Sequence, residues 1–326
     1  MRPISEPRLS EVLQRRPVRR GRVHGISAVL LPYGPDAAID WASFEQHVAR
    51  TAGAGLDVAL NMDTGFGDLL SPDERLAVLD AARGVLGPRP DLYAAAFAGD
   101  GDPVEGYRAA ASEITSRGGT PVIVQCAAMH GLDAVAKAEM YRRAVVGVER
   151  ALAYELSPVF APHGEIWDDD TFARLLDMTA ITGAKHSSLD RATELRRLAT
   201  RDSLRPDWRV YTGNDLAIDL VLDGSDYLLG LSTFTPEKFA ERDRALANDD
   251  VAFLSLNDSL QHLGNVGFRS PVPAYKHSAA QFLHLTGALP GDGVHPRAPR
   301  RPDSDRILLA DCAKRLRLPV VVAPHG

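Results

Sequence analysis

Cysteine occurs only twice in the 326 residues, at Cys126 and Cys312. Two thiols this far apart exclude a disulfide framework and fit a reducing cytoplasm, where the chain is expected to work. No apolar run approaches the roughly 18 residues that a membrane span needs, so no membrane role is expected. A basic stripe is also missing, and a net charge of −6 leaves no electrostatic footprint for nucleic acid. A small molecule is the expected partner. The N-terminal MRPISEPRLSEVLQRRPVRRGRVHG is rich in arginine, but Glu6 and Glu11 interrupt it and it has no apolar core. It reads as an N-terminal arm, not as a secretory signal. There is no G-x-G-x-x-G after the first strand-like run, which removes the main reason to expect a doubly wound nucleotide-binding sheet.

Lysine is the other scarcity. Of 37 basic residues only five are lysine: Lys137, Lys185, Lys238, Lys276 and Lys314. Where positive charge simply has to sit on a surface, this chain uses arginine, so each lysine is a candidate for a role of its own. Lys185 is the sharpest case, because it interrupts the short apolar run ITGAKHS.

What the sequence does contain is a repeated alternation of apolar runs and helix-like segments. The runs are 26–33, 56–62, 91–99, 121–126, 150–156, 181–187, 208–213 and 227–232, eight in all. Between them, helical patterns open on caps: Asp40 before WASFEQHVARTA, Ser71 before PDERLAVLDAARGVL, and Asp168 to Asp170 before TFARLLDM. Eight strand–helix units with continuously apolar strands are what a (β/α)₈ TIM barrel requires, since parallel strands need crossover helices and are covered on both faces. The expected organisation is an N-terminal arm over 1–24, a (β/α)₈ barrel over 25–235 and a C-terminal helical extension over 236–326 packed on the barrel.

In such a barrel, reactive side chains sit at the C-terminal ends of the strands. If Lys185 points inward, the period of two sends Gly183 and Ser187 inward with it and leaves Ala184 and His186 toward the helices. A lysine drawn out of water favours its neutral amine, with shifts of roughly 3 to 5 pH units in fully buried cases. The neutral amine attacks a ketone to form a Schiff base, an electron sink for making or breaking a neighbouring bond. The bland alternative is a lysine that reaches the rim or pairs with a carboxylate. Lys276, in a second K-H-S triplet, is assigned to helix structure, and Cys126 reads as a small buried residue.

Several segments together resemble the dihydrodipicolinate synthase and N-acetylneuraminate lyase family of class I, Schiff-base-forming aldolases, over roughly residues 26 to 290. TGAKHSS is similar to that family's G-x-K-x-[ST]-[ST] segment, AVLLPYGPDAAID to its first strand, and NMDTGFGDLLSPDER to its G-T-T-G-E-x-x-x-L-[ST]-x-x-E-R segment. YTGND and YLLGLST resemble the seventh and eighth strands, and PVPAYKHSAA a C-terminal helix start. The resemblance implies Lys185 as the Schiff-base residue and Tyr154 as the proton relay, with Glu155 or Ser157 as alternatives. It implies Thr64 and Gly65 as the cradle of a 2-oxo acid carboxylate. Asp63, His130, His163 and Ser187 complete the candidate substrate contacts. No cofactor or metal is implied, and a homo-oligomer, tetramer or dimer, is expected.

The departures bear on substrate choice. The first threonine of G-T-T-G-E is Asp63 and its glutamate is Phe66. The loop CAAMHGLD lacks the synthases' relay tyrosine, and PVFAPHGE lacks the arginine that holds their second substrate. Dihydrodipicolinate synthase activity itself is therefore not expected. Two alternatives stand beside the lyase. One is a metal-dependent aldolase using Asp63, His130, Glu155, His163 and His186, although no H-x-x-x-H spacing supports it. The other is a non-catalytic 2-oxo acid sensor.

Overall fold

The computed structural model describes residues 7–18, 21–88 and 92–323. Eight strands form one closed parallel barrel in sequence order: β1 (Gly25–Ala28), β2 (Asp57–Leu60), β3 (Leu92–Ala96), β4 (Thr120–Val124), β5 (Ala151–Glu155), β6 (Ile181–His186), β7 (Arg209–Thr212) and β8 (Asp226–Leu229), with β1 pairing β8. The fold is a (β/α)₈ TIM barrel with C-terminal helices. The expected runs are longer than the ladders. Each run begins in the barrel wall, and its last residues leave the ladder to build the mouth, where chemistry-bearing side chains are found in this fold.

Side chains alternate between two apolar layers. Ile26, Ala28, Val122, Leu152, Tyr154 and Tyr211 fill the barrel interior. A larger layer between sheet and helices includes Val58, Ile123, Ala153, Ala184 and Val210. Because β5 and β6 each obey this period, Tyr154 and Glu155 face opposite sides, as do Lys185 and His186.

The expected caps form. The Asp40 carboxylate accepts from the Ser43 N–H, and the Asp168 carboxylate from the Thr171 N–H. Ser71 and Glu74 make a reciprocal capping box in front of Pro72.

The expected division at residue 235 falls too early. Helix Pro236–Ala247 packs on the first barrel helix, Trp41–Ala54, as well as on Ala252–Gly267. It is thus the eighth member of the helix ring, and the barrel runs to Ala247. Beyond it, Ala252–Gly267, Tyr275–Leu285 and Asp305–Arg315 pack on one another. Residues 1–6 and 19–20 of the expected arm, and Asp91 of the third run, lie outside the described residues. The rest of the arm is anchored: Leu9 is fully buried, and its N–H donates to the Asp249 carbonyl at 2.9 Å. Cys126 and Cys312 are both free thiols. Among the described residues no helix is long and apolar enough to cross a membrane.

Candidate active site

The β5–β6–β7 register sets Tyr154 beside Lys185 and Lys185 beside Tyr211. Lys185 points into the barrel and is 7% exposed. Its Nζ lies over the Tyr154 ring, 4.6 Å from the centroid. No carboxylate stands within ion-pair distance of this amine among the described residues, unlike Lys137 and Lys276, which are paired with Glu165 and Asp63. Gly213, just past the end of β7, lies against the Lys185 side chain, and a side chain there would force its neighbours to shift. A Cβ at Gly213 would overlap Ser187 Oγ and come within 2.8 Å of Lys185 Cε. Ser187 is itself buried, and its hydroxyl has no hydrogen-bond partner among the described residues.

Behind the strands, Glu155 is fully buried under the helices, a position that should be unfavourable for a lone carboxylate. It is not alone. Arg197 Nη2 donates to Oε1 at 2.9 Å, the Trp167 N–H donates to the same oxygen at 2.9 Å, and His186 Nδ1 meets Oε2. Burial by itself raises the Glu155 carboxyl, but the hydrogen bonds and charges of His186 and Arg197 outweigh it and hold it below the ordinary range. Tyr154 is therefore the member of the pair that faces the barrel, and Glu155 and His186 form a clamp behind the two residues of interest.

On the other side of the mouth stands a group that the sequence reading largely missed. Asp63 Oδ1 accepts from Lys276 Nζ at 2.7 Å, and Oδ2 accepts from the Tyr275 hydroxyl at 2.7 Å. The Tyr275 oxygen in turn meets Thr64 Oγ1 at 2.8 Å. Lys276 was assigned to helix structure; it is 5% exposed and reaches from the start of Tyr275–Leu285 into the mouth. The repeated K-H-S triplet thus supplies a second site lysine, held as an ion pair. Asp215, in YTGND, was not singled out at all. It is buried, accepts from the Leu231 N–H at 2.7 Å, and is pushed up to about 7 by desolvation, with the charge of Lys185 opposing and that of Asp63 adding to the rise. An aspartate at the end of a barrel strand was the available signal.

Next to Tyr154 and Asp63 lies a cavity of about 500 Å³. Asp63, Tyr154 and His163 line it, together with Arg75, Asp68 and Asp100. His163 is fixed by its Nε2, which donates to the Gln125 carbonyl at 3.0 Å. Thr64 and Gly65 lie buried on the turn below Asp63, but the Gly65 N–H already donates to the Met62 carbonyl at 3.0 Å. The Thr64 hydroxyl is held by Tyr275, and neither member of that expected cradle lines the cavity. His130 does not line the cavity. Its side chain is 59% exposed on the rim, with Nδ1 4.0 Å from Glu165. The five residues weighed as metal ligands do not converge: Glu155 and His186 face the helices, and Asp63 is paired with Lys276. Among the described residues no three His, Cys, Asp or Glu side chains are grouped to hold a metal ion.

No family model and no curated protein matches the sequence, but solved structures match the fold. A prophage protein from E. coli K12 belonging to the dihydrodipicolinic acid synthase family, solved in complex with pyruvate, superimposes with a TM-score of 0.79. It is 18% identical over 91% of this chain and 99% of its own. Dihydrodipicolinate synthase from Thermotoga maritima gives 0.77 at 17% identity, covering 90% of this chain and 98% of that one. KD(P)GA from T. tenax gives 0.71 at 20% identity, covering 90% and 99%. The chain shares their fold. Within that shared barrel, Tyr154 and Lys185 end adjacent strands and Asp63 and Asp215 follow the second and seventh, so the cluster occupies the end of the barrel at which such enzymes place their chemistry. Identities this low speak to the fold, and the chemistry rests on the residues themselves.

Proposed function

We propose that this chain is a class I lyase related to dihydrodipicolinate synthase and N-acetylneuraminate lyase, acting on a 2-oxo acid such as pyruvate through a Schiff base at Lys185. The observation that carries the proposal is the contrast between the two lysines of the mouth. Lys276 is neutralised by Asp63 at 2.7 Å, whereas Lys185 sits in the barrel with an aromatic face for a neighbour and, among the described residues, no carboxylate within ion-pair distance. A primary amine that attacks a ketone must lose its proton, and a tight carboxylate partner would keep it on.

In this reading Lys185 adds to the ketone and water leaves, giving a protonated imine. Loss of a C3 proton makes an enamine, and the imine nitrogen takes up the electron pair. Tyr154 moves protons to and from the bound substrate, as a hydroxyl that both donates and accepts. Asp215, pushed up to about 7 by desolvation, places less negative charge near the amine than an ordinary aspartate would. The crystal form of a fold relative with pyruvate supports the class of ligand.

The test is Lys185→Arg, which keeps the charge but replaces the amine with a guanidinium that stays protonated. Turnover across a panel of 2-oxo acids and their aldol adducts is expected to vanish in a variant that still folds, and to withstand EDTA in the parent. Retained turnover in Lys185→Arg, or activity lost to EDTA and restored by a divalent ion, would overturn the proposal.

A further inference from the structure

The imine explains one end of a substrate, and the cavity lined by its neighbour Tyr154 describes the other. Its walls are apolar: Met62, Phe97, Val124, Leu156 and Phe160 surround the space next to the Tyr154 ring. Phe97 and Phe160 are partly exposed and pack on the barrel's interior apolar layer, leaving ring surface facing the cavity. Among the charged side chains of the lining, acids outnumber bases. Asp63, Asp68 and Asp100 stand there against one cation, Arg75. Arg75 is partly engaged: its Nη1 donates to the Gly67 and Leu70 carbonyls at 3.1 and 2.8 Å, and its guanidinium stacks 5.0 Å from the Phe97 centroid. His163, like Tyr154 a polar member of the lining, has its Nε2 bound to the Gln125 carbonyl. A second carboxylate entering here would lose its water and meet Asp68 and Asp100, with Asp63 already paired to Lys276, whereas a ring would replace water against two phenylalanines.

We infer that the reaction partner of the 2-oxo acid is an aldehyde bearing an apolar, ring-sized substituent that sits between Phe97 and Phe160. The inference rests on the Schiff-base reading and adds the substrate class. In the condensing direction the enamine carbon C3 attacks the aldehyde carbon and one carbon–carbon bond forms. The carbonyl electron pair moves to the aldehyde oxygen, which takes the Tyr154 proton. Water then hydrolyses the imine, releasing a 4-hydroxy-2-oxo acid and the free Lys185 amine. Cleavage runs the same steps backward, and neither direction involves oxidation or reduction.

The test uses the full chain, pyruvate and three aldehydes: benzaldehyde, glyceraldehyde and succinic semialdehyde, with adducts quantified chromatographically. Borohydride trapping with pyruvate alone is run in parallel. The expected result is kcat/KM for benzaldehyde at least about 100-fold above that for succinic semialdehyde, the upper part of the range that pocket contacts alone provide. Phe160→Ala should reduce the benzaldehyde value by about 10-fold or more, and Phe160→Arg, which places a cation in the wall, should shift preference toward succinic semialdehyde. Trapping of pyruvate with no preference for benzaldehyde, with no aldehyde turned over, or with no shift in Phe160→Arg overturns this inference alone. Failure to trap pyruvate overturns it together with the Schiff-base reading.

Discussion

Gly213→Ala tests the geometry around Lys185 without touching the lysine. The new methyl carbon would stand 2.8 Å from Lys185 Cε, 3.1 Å from the His186 carbonyl oxygen, and in overlap with Ser187 Oγ. Backbone at His186 is held in the β6–β7 ladder and cannot yield easily, but the two side chains can. The Ser187 hydroxyl has no hydrogen bond to lose among the described residues and can rotate away. Lys185 Cε must retreat by about 1 Å to reach an ordinary carbon–carbon contact. Overpacking of this kind destabilises by about 1–3 kcal/mol. Misplacing a reacting group by about 1 Å can slow its reaction about 10²-fold. The expected outcome is therefore a small loss of stability in urea unfolding and a much larger loss, near 100-fold, in the rate at which pyruvate and borohydride modify the protein. Adding Ser187→Ala removes the hydroxyl overlap and should recover stability while leaving modification slow, because the Cε contact persists. Modification of Gly213→Ala at the parental rate would refute the argument that this glycine positions the reacting amine.

Three other outcomes follow from the same geometry. Tyr154→Phe keeps the ring that packs on Lys185 and deletes the hydroxyl, so turnover should fall about 10²- to 10⁴-fold with imine trapping retained; near-normal turnover would pass the relay to another group. Asp215 binds its proton up to about 7 when folded and only to about 3.8 when unfolded, so the folded state holds the extra proton between these values and stability should fall as pH rises through that window. The shift corresponds to about 4 kcal/mol; Asp215→Asn should remove that slope from a comparison of urea midpoints at pH 5 and pH 8, and an unchanged slope would contradict it. Arg197→Met leaves the buried Glu155 short of its main cation and should destabilise by about 3–5 kcal/mol, whereas a loss below about 1 kcal/mol in chemical denaturation would show the clamp to be dispensable.

The barrel was legible because parallel strands covered on both faces must be apolar throughout, and eight such runs with capped helices between them leave few alternatives. Lys185 was legible for a related reason: a charge inside one of those runs contradicts its surroundings. The mouth was harder. Tyr154 and Glu155 are adjacent, and the period of two says only that they diverge; the side that each takes depends on Arg197, 42 residues away, which makes burial of Glu155 tolerable. Lys276 was hidden because its partner, Asp63, is 213 residues distant and no local pattern links them. Helix Pro236–Ala247 carries no mark in its own sequence that it packs against Trp41–Ala54. His130 was misplaced for a similar reason, since the turn after β4 carries it outward onto the rim.

The most direct measurement is the site of covalent capture. The intact protein is incubated with pyruvate, reduced with borohydride, digested and mapped by mass spectrometry. The Schiff-base account predicts one reduced adduct, on the peptide containing GAKHSS at Lys185, and none in Lys185→Arg. An adduct at Lys276 or Lys137, or an unlabelled protein across a panel of 2-oxo acids, would contradict it.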